Sequence, residues 1–290
     1  MGTYQQRTDL ALESREIAAE SGDVGGVDFE ESVRSGLHCQ KVSIKTAEGS
    51  KALGKPAGEY YTLNISALLR RESGEFPSAV EALTGVLKEL LPKADANACT
   101  LVVGLGNRDI TPDNIGPLTA ENVLVTRHLK QYAPDDFKML SPVAVITPGV
   151  LAASGIESAD YIKWVCDELR PARVLVVDAL AAKDLERLCR TVQVTDTGIT
   201  PGSGVGNSRS AVNSKTLGVP VIAIGVPTVV DIGSLVQSAE MEKRAENKEM
   251  IVTPRNIDSE VVCAARLVAY AVNCALHPGL TLADIDMLVG

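Results

Sequence analysis

Five short aliphatic runs, separated by segments of helical length, constrain this chain more than any other feature. They predict strands near 100–105, 143–147, 173–178, 191–195 and 219–225, and helices near 117–130, 157–169, 181–189, 210–216 and 228–246. Leu101-Val102-Val103 and Val174-Leu175-Val176-Val177 show no polar alternation. Such runs suit strands buried on both faces, as in a parallel sheet with helices above and below. The reading is therefore α/β, with a parallel or mostly parallel sheet covered on both sides.

Upstream of this rhythm, Val80, Leu83, Leu87, Leu90 and Leu91 share one face of a helix that begins near Phe76 and stops at Pro92. The segments 38–46 and 60–65, with the turn Gly54-Lys55-Pro56-Ala57-Gly58 between them, are expected to pair as a hairpin. Residues 1–36 are polar, with glycine pairs and clustered acids, and are expected to form a loosely held arm. The greasy stretch Val261 to Leu276 is interrupted by Arg266 and Asn273 and reads as a buried helix, not a membrane span. A short helical tail is expected over 281–288. Neither repeats nor a linker are visible, so one domain with peripheral additions is the preferred division.

A chain of 290 residues that is 45% hydrophobic and 22% charged can bury a substantial core. Aromatics at 3% argue against stacking platforms for single-stranded nucleic acid, and a net charge of -9 argues against a nonspecific DNA binder. Six scattered cysteines without a CxxC pair read as buried small hydrophobes in a reducing compartment, and no secretory signal is visible.

Two acids stand where such a sheet collects ligands, beyond the carboxyl ends of its strands. After Leu101-Val102-Val103 come Gly104, Gly106 and Asn107, then the turn Thr111-Pro112-Asp113, then a helix opening at Gly116-Pro117. Asp178 follows the second apolar run, before Ala179-Leu180-Ala181-Ala182, which is expected to open a helix. If the two strands are neighbours, Asp113 and Asp178 converge on one crevice. Close carboxylates share a proton, so one could activate water while the other polarises an amide carbonyl. The bland alternative is that each acid caps the next helix or binds a turn.

Other patterns carry less. Asp196-Thr197-Gly198 resembles the Asp-Thr-Gly of pepsin-like proteases, but those are all-β and need two copies; here Asp196 is a strand-end residue and a polar neighbour of the site. The loop from Thr200 to Asn207, with Gly202, Ser203 and Gly204, could face a substrate with its N–H groups or be plain surface. There is no Gly-x-Ser-x-Gly elbow and no His-x-x-x-His metal spacing. A scattered metal site using Asp113, Asp178 and His128 stays open; His128, near a helix end, reads more readily as structural.

Several ordered blocks carry a resemblance over nearly the whole chain. Val103-Gly-Leu-Gly-Asn107, Thr111-Pro-Asp113, Glu121 to His128, Asp178-Ala-Leu-Ala-Ala182, Asp196-Thr-Gly198, Pro201 to Asn207 and Gly225 to Asp231 resemble the germination proteases of spore-forming bacteria. The resemblance implies a three-layer α/β fold like that of hydrogenase-maturation endopeptidases. It implies an endopeptidase that degrades small acid-soluble spore proteins, made as a self-processing homotetrameric zymogen in the forespore and acting in the spore core. It also implies that Asp113 and Asp178 are the catalytic pair of an unusual aspartic protease. No cofactor, membrane or direct nucleic-acid partner is expected, although a metal-assisted variant and a noncatalytic binder of spore proteins remain alternatives.

By the same analogy the pro-segment is residues 1–9, cut between Asp9 and Leu10, ahead of a domain covering 10–290. The Glu16–Ile17 bond has an equally suitable sequence, and Leu10 to Ala19 could simply be an amphipathic helix. Acids flanking the cut imply cations in the groove, with Arg108, Arg127 and Arg209 near the motif loops and no way to choose among them from sequence.

Overall fold

The computed structural model describes residues 8–20, 22, 24–69, 74–95, 97–203, 209–231 and 251–289, which carry one mixed sheet. Its strands are β1 (Val27–Arg34), β2 (Leu37–Ile44), β3 (Gly58–Asn64), β4 (Thr100–Gly104), β5 (Val143–Ile146), β6 (Arg173–Ala182), β7 (Thr191–Thr195), β8 (Val221–Asp231) and β9 (Ile251–Val252). They lie in the order β1-β2-β3-β7-β8-β6-β4-β5, with β9 against the end of β8. The pairs β5/β4, β4/β6 and β6/β8 are parallel. The remaining pairs are antiparallel. The expected α/β class is present, but the sheet is mixed instead of mostly parallel. Tightly linked strands must reverse direction, and the β1–β3 unit joins the same sheet through β7.

The helices are α1 (Ala11–Ala19), α2 (Ala47–Leu53), α3 (Ser66–Leu69), α4 (Glu75–Leu90), α5 (Ile115–Glu121), α6 (Arg127–Tyr132), α7 (Leu151–Ser154), α8 (Ser158–Leu169), α9 (Ser214–Leu217), α10 (Ile257–Leu276) and α11 (Leu282–Val289). Alternation along β6 separates three layers. Leu175 and Val177 pack with Leu83 and Leu87 of α4, Ile115 of α5 and Leu267 and Val268 of α10. Val174 and Val176 face the other way, against Ile162 and Cys166 of α8 and Leu217 of α9. On that second face α1 and α2 cover the antiparallel end, where Ala11, Leu12 and Leu53 meet Val42, Ile44 and Tyr60. The two covers do not meet, and the sheet between them is where the site lies.

Helix α10 is long and apolar enough to cross a membrane by length and composition, yet Val261, Leu267, Val268 and Val272 are fully buried in the core. Its Asn273 also explains why the helix expected over 117–130 is two helices. The Asn273 carboxamide accepts from Leu124 N–H (2.9 Å) and donates to Asn122 C=O (2.9 Å), satisfying a backbone break between α5 and α6. His128 thus lies in the first turn of α6, not at a helix end.

Three further expectations are corrected. Residues 179–182 continue β6 and do not open a helix; only a 3₁₀ turn, Leu185–Arg187, occupies the 181–189 segment. Alanine favours helices only weakly, and pairing with β8 overrides it. The helix expected over 228–246 is strand as far as Asp231, and 232–246 lies outside the described residues. The N-terminal arm is partly structural: Leu10, Ala11 and Leu12 are at most 1% exposed, and β1 forms the sheet edge.

Candidate active site

Where β4 ends, the main chain turns sharply so that a carboxylate can return over the strand ends. Leu105 N–H still bonds Val177 C=O of β6 (2.8 Å), and Gly106 then adopts a φ of +117°. A side chain at Gly106 would meet the Asp113 carbonyl oxygen at 2.0 Å, so only glycine lets the two segments close. Asn107 N–H bonds that same carbonyl (2.9 Å), and Thr228 of β8 donates to Pro112 C=O (2.6 Å). The 3₁₀ turn Thr111–Asp113 is thereby pinned to both β4 and β8.

Asp178 comes from inside β6, not from its end, because the strand runs four residues further. Its side chain is 5% exposed, and within the protein it accepts the Ala179 N–H (2.9 Å). Both acids line one cleft of about 320 Å³, together with Gly106, Leu180, Gly202 and Arg209. Burial raises the pKa of Asp113 to about 6, partly offset by the Asn107 N–H. Asp178 is pushed well above the usual carboxylate range, first by burial and then by the charges of Asp113 and Asp9. Of the two, Asp178 is the buried acid whose charged form is disfavoured by both burial and a neighbouring carboxylate, so it is the better placed to hold a shared proton.

The N-terminal segment occupies the same cleft. Asp9 lines it, and its main-chain N–H bonds Ala181 C=O (2.9 Å). The Asp9 carboxylate accepts from Ala181 N–H (2.9 Å) and Ser203 Oγ (2.6 Å). Gln193 of β7 brackets the next peptide: its Nε2 donates to Asp9 C=O (3.2 Å) and its Oε1 accepts from Ala11 N–H (2.7 Å). Lys55 Nζ donates to Thr8 C=O (2.9 Å); burial lowers its pKa against the pull of Asp9 and Glu13. A second cavity of about 210 Å³, holding Lys55, Tyr60, Gln193 and Ser203, lies on the other side of Asp9, which with Leu180 walls both.

The remaining candidates divide. Gly202 lines the cleft and Ser203 holds Asp9, whereas Gly204 lies outside the described residues. Of the three arginines only Arg209 reaches the cleft, paired with Glu157 at 3.7 Å. Arg108 is paired with Glu121, and Arg127 lies on α6 with Gln131 at 3.5 Å. Asp196 is exposed, accepts Glu59 N–H (2.9 Å) and is not among the lining residues. Among the described residues no three His, Cys, Asp or Glu side chains converge on one point, and His128 is exposed on α6. That donor set does not fit the three-ligand pattern of catalytic zinc. Sequence reasoning passed over Lys55 and Gln193. The signal for Gln193 was available: a long amide in the middle of the buried strand Thr191–Thr195, where valine flanks it on either side.

Several known proteins are similar to this chain. The germination protease family model matches residues 6–241. The germination protease of Caldanaerobacter subterraneus subsp. tengcongensis is 40% identical, with 98% of each chain covered. That of Clostridium tetani is 38% identical over 97% of this chain and 98% of its own. Among solved structures, the NiFe hydrogenase maturation protease HycI of Thermococcus kodakarensis aligns with 64% of this chain and 98% of its own, at 18% identity and a TM-score of 0.36. A family model spanning most of the chain, and relatives alike from end to end, place this chain in the germination protease family and make it a protease.

Proposed function

We propose that this protein is an endopeptidase of spore germination that cuts small acid-soluble spore proteins with an aspartate dyad, and that it first processes itself between Asp9 and Leu10. The observation that carries the reading is the company Asp9 keeps. Asp9, the acid before the proposed cut, lines the cleft that Asp113 and Asp178 share, and the apolar Leu10 after it packs against Leu180 of the cleft wall. The Glu16–Ile17 bond is a poorer candidate, because it sits inside α1 with its backbone already hydrogen-bonded along the helix.

In the proposed reaction, ionised Asp113 takes a proton from water as the water oxygen attacks the carbonyl carbon before the cut. Asp178 keeps its proton until it donates to the carbonyl oxygen, the charge state that burial already imposes on it. Collapse of the tetrahedral intermediate breaks the C–N bond and delivers a proton to the departing amine. The products are a carboxylic acid at Asp9 and a free amine at Leu10.

Residues 1–9 serve in this reading as the pro-segment, whose last residue, Asp9, stands at the wall of the groove that a spore protein would enter. The working enzyme is proposed to be a homotetramer of the forespore and spore core, without cofactor. The test is incubation of wild type, Asp113→Asn, Asp178→Asn and chelator-treated enzyme with a small acid-soluble spore protein, read by mass spectrometry. Cleavage that survives either substitution ends the dyad; cleavage that stops only with chelator replaces it with a metal-assisted reaction.

A further inference from the structure

Strand register places a residue with no assigned role directly across from the dyad. Asp178 of β6 is paired with Gly225 of β8, and Gly225 is paired in turn with Gln193 of β7. The three form one row across the sheet and point to the same face, so Asp178 and Gln193 stand two strand spacings apart, about 10 Å between main chains. Gly225 between them carries no side chain, and Leu180 fills that space: a Cβ on Gly225 would lie 2.4 Å from a Leu180 methyl. Asp9 lies beside Leu180 at the wall between the two cavities, Asp178 lining one and Gln193 the other.

The Gln193 carboxamide is 6% exposed and its orientation is determined by its partners. Ala11 N–H can only donate, so the atom facing it at 2.7 Å is Oε1. The opposite end is therefore the NH₂, and it faces Asp9 C=O at 3.2 Å. That oxygen belongs to the bond proposed to break. On β7, Gln193 lies between Val192 and Val194, both fully buried on the opposite face, so its own strand holds it rigidly.

We infer that Gln193 is a catalytic residue of the self-cleavage reaction, donating a hydrogen bond to the carbonyl oxygen of Asp9 as negative charge grows there. The inference rests on the cut between Asp9 and Leu10. When the water oxygen bonds to the Asp9 carbonyl carbon, the carbonyl π pair moves onto the oxygen, which Asp178 protonates from one side while Gln193 Nε2 holds it from the other. When the C–N bond breaks, the oxygen returns to a carbonyl and Leu10 nitrogen leaves as an amine. A fixed donor on such an oxygen acts at full strength in a water-poor site, with no reorganisation at the moment of reaction. Oε1, by taking Ala11 N–H, keeps the peptide from rotating away.

The experiment follows the appearance of an N-terminus at Leu10 in the full chain for wild type, Asp178→Asn, Gln193→Met and Gln193→Glu, with folding checked by circular dichroism. Gln193→Glu retains an oxygen for Ala11 N–H and loses the donor to Asp9 C=O, so it separates chemistry from seating. Both Gln193 variants are expected to release Leu10 about 100-fold more slowly than wild type. The Glu variant should also recover relative to wild type as pH falls, because a protonated carboxyl donates again. Release by Gln193→Glu at the wild-type rate across the pH series overturns the catalytic role, even if Gln193→Met is slow or unfolded. In that event a wild type cut at Leu10 and an inert Asp178→Asn leave the dyad reading standing. A wild type that is never cut at Leu10 overturns the self-cleavage reading and this inference together.

Discussion

Two carboxylates are buried within the same neighbourhood, and they are treated in opposite ways. Glu13 has no exposed surface, yet it receives Lys183 N–H (2.7 Å), Asp184 N–H (3.0 Å) and the Thr8 hydroxyl, and the Arg187 guanidinium stands 3.3 Å away as its ion-pair partner. Asp178 receives the single N–H of Ala179, and the charged groups that act on it, Asp113 and Asp9, are both acidic. Burial raises both pKa values, but at Glu13 three donors and the charge of Arg187 pull back against it. A carboxylate surrounded by donors is a structural anchor; one left without them is kept as an acid that can give up a proton. The contrast separates the residue that holds the N-terminal segment from the residue proposed to cut it.

The sharpest way to break the comparison is to neutralise each acid. Asp178→Asn should lower turnover at least about 1,000-fold, as expected for loss of a general acid, while the melting temperature stays level or rises. Retained turnover would show that Asp178 is as structural as Glu13. Glu13→Ala should do the reverse. It strands two buried N–H groups and leaves the Arg187 guanidinium with Glu16 alone, costing about 3 kcal/mol, and should lower the melting temperature by roughly 6–12 °C. Calorimetry that finds no loss would mean that those donors are satisfied some other way.

An intermediate effect is expected where the two sites meet. Gly225→Ala drives a methyl into Leu180, which packs with Leu10 on one side and lines the dyad cleft on the other. Overpacking there should cost about 2 kcal/mol and slow release of the Leu10 terminus, both measurable on one preparation. An unchanged denaturation midpoint would show that Leu180 moves aside freely.

The smallest effect concerns pH. Asp113 has a folded pKa of about 6, above its ordinary value of 3.8, so the folded state binds the extra proton between those limits. Its contribution to stability is therefore greatest below about pH 4 and is lost as pH rises through about 6. Activity should run the other way, falling as pH drops through about 6 and the base is protonated, and falling again at high pH when Asp178 ionises. Asp113→Asn should flatten the stability slope and add about 1 kcal/mol at neutral pH. Urea titrations at pH 5 and pH 7 that show the same slope for wild type and variant would remove Asp113 from this account.

Much of this molecule was legible beforehand. The buried strands β4, β5, β6 and β7 begin at or close to their expected residues, because an unbroken aliphatic run is a local signal. The two acids that end up in one cleft were visible as carboxylates placed after such runs. What failed, failed for tertiary reasons. Strand β1, Val-Asp-Phe-Glu-Glu-Ser-Val-Arg, looks like a solvated segment because it is an edge strand, where charged residues are tolerated and protect against further pairing. Residues 179–182 look helical because alanine and leucine favour helices, but β8 continues its parallel pairing along them, across a register shift between Leu180 and Ala181.

Periodicity and residue type, which act over a few neighbouring positions, determined by themselves that the chain would build an α/β sheet and would carry Asp113 and Asp178 after two of its buried aliphatic runs. Folding alone decided that Asp9 lines the same cleft, that Glu13 is anchored while Asp178 is not, and that Gln193 shares a sheet row with Asp178 across Gly225. Those facts depend on which strands pair and in what register, and register is a sum over contacts between residues tens to more than a hundred positions apart, which no local pattern encodes.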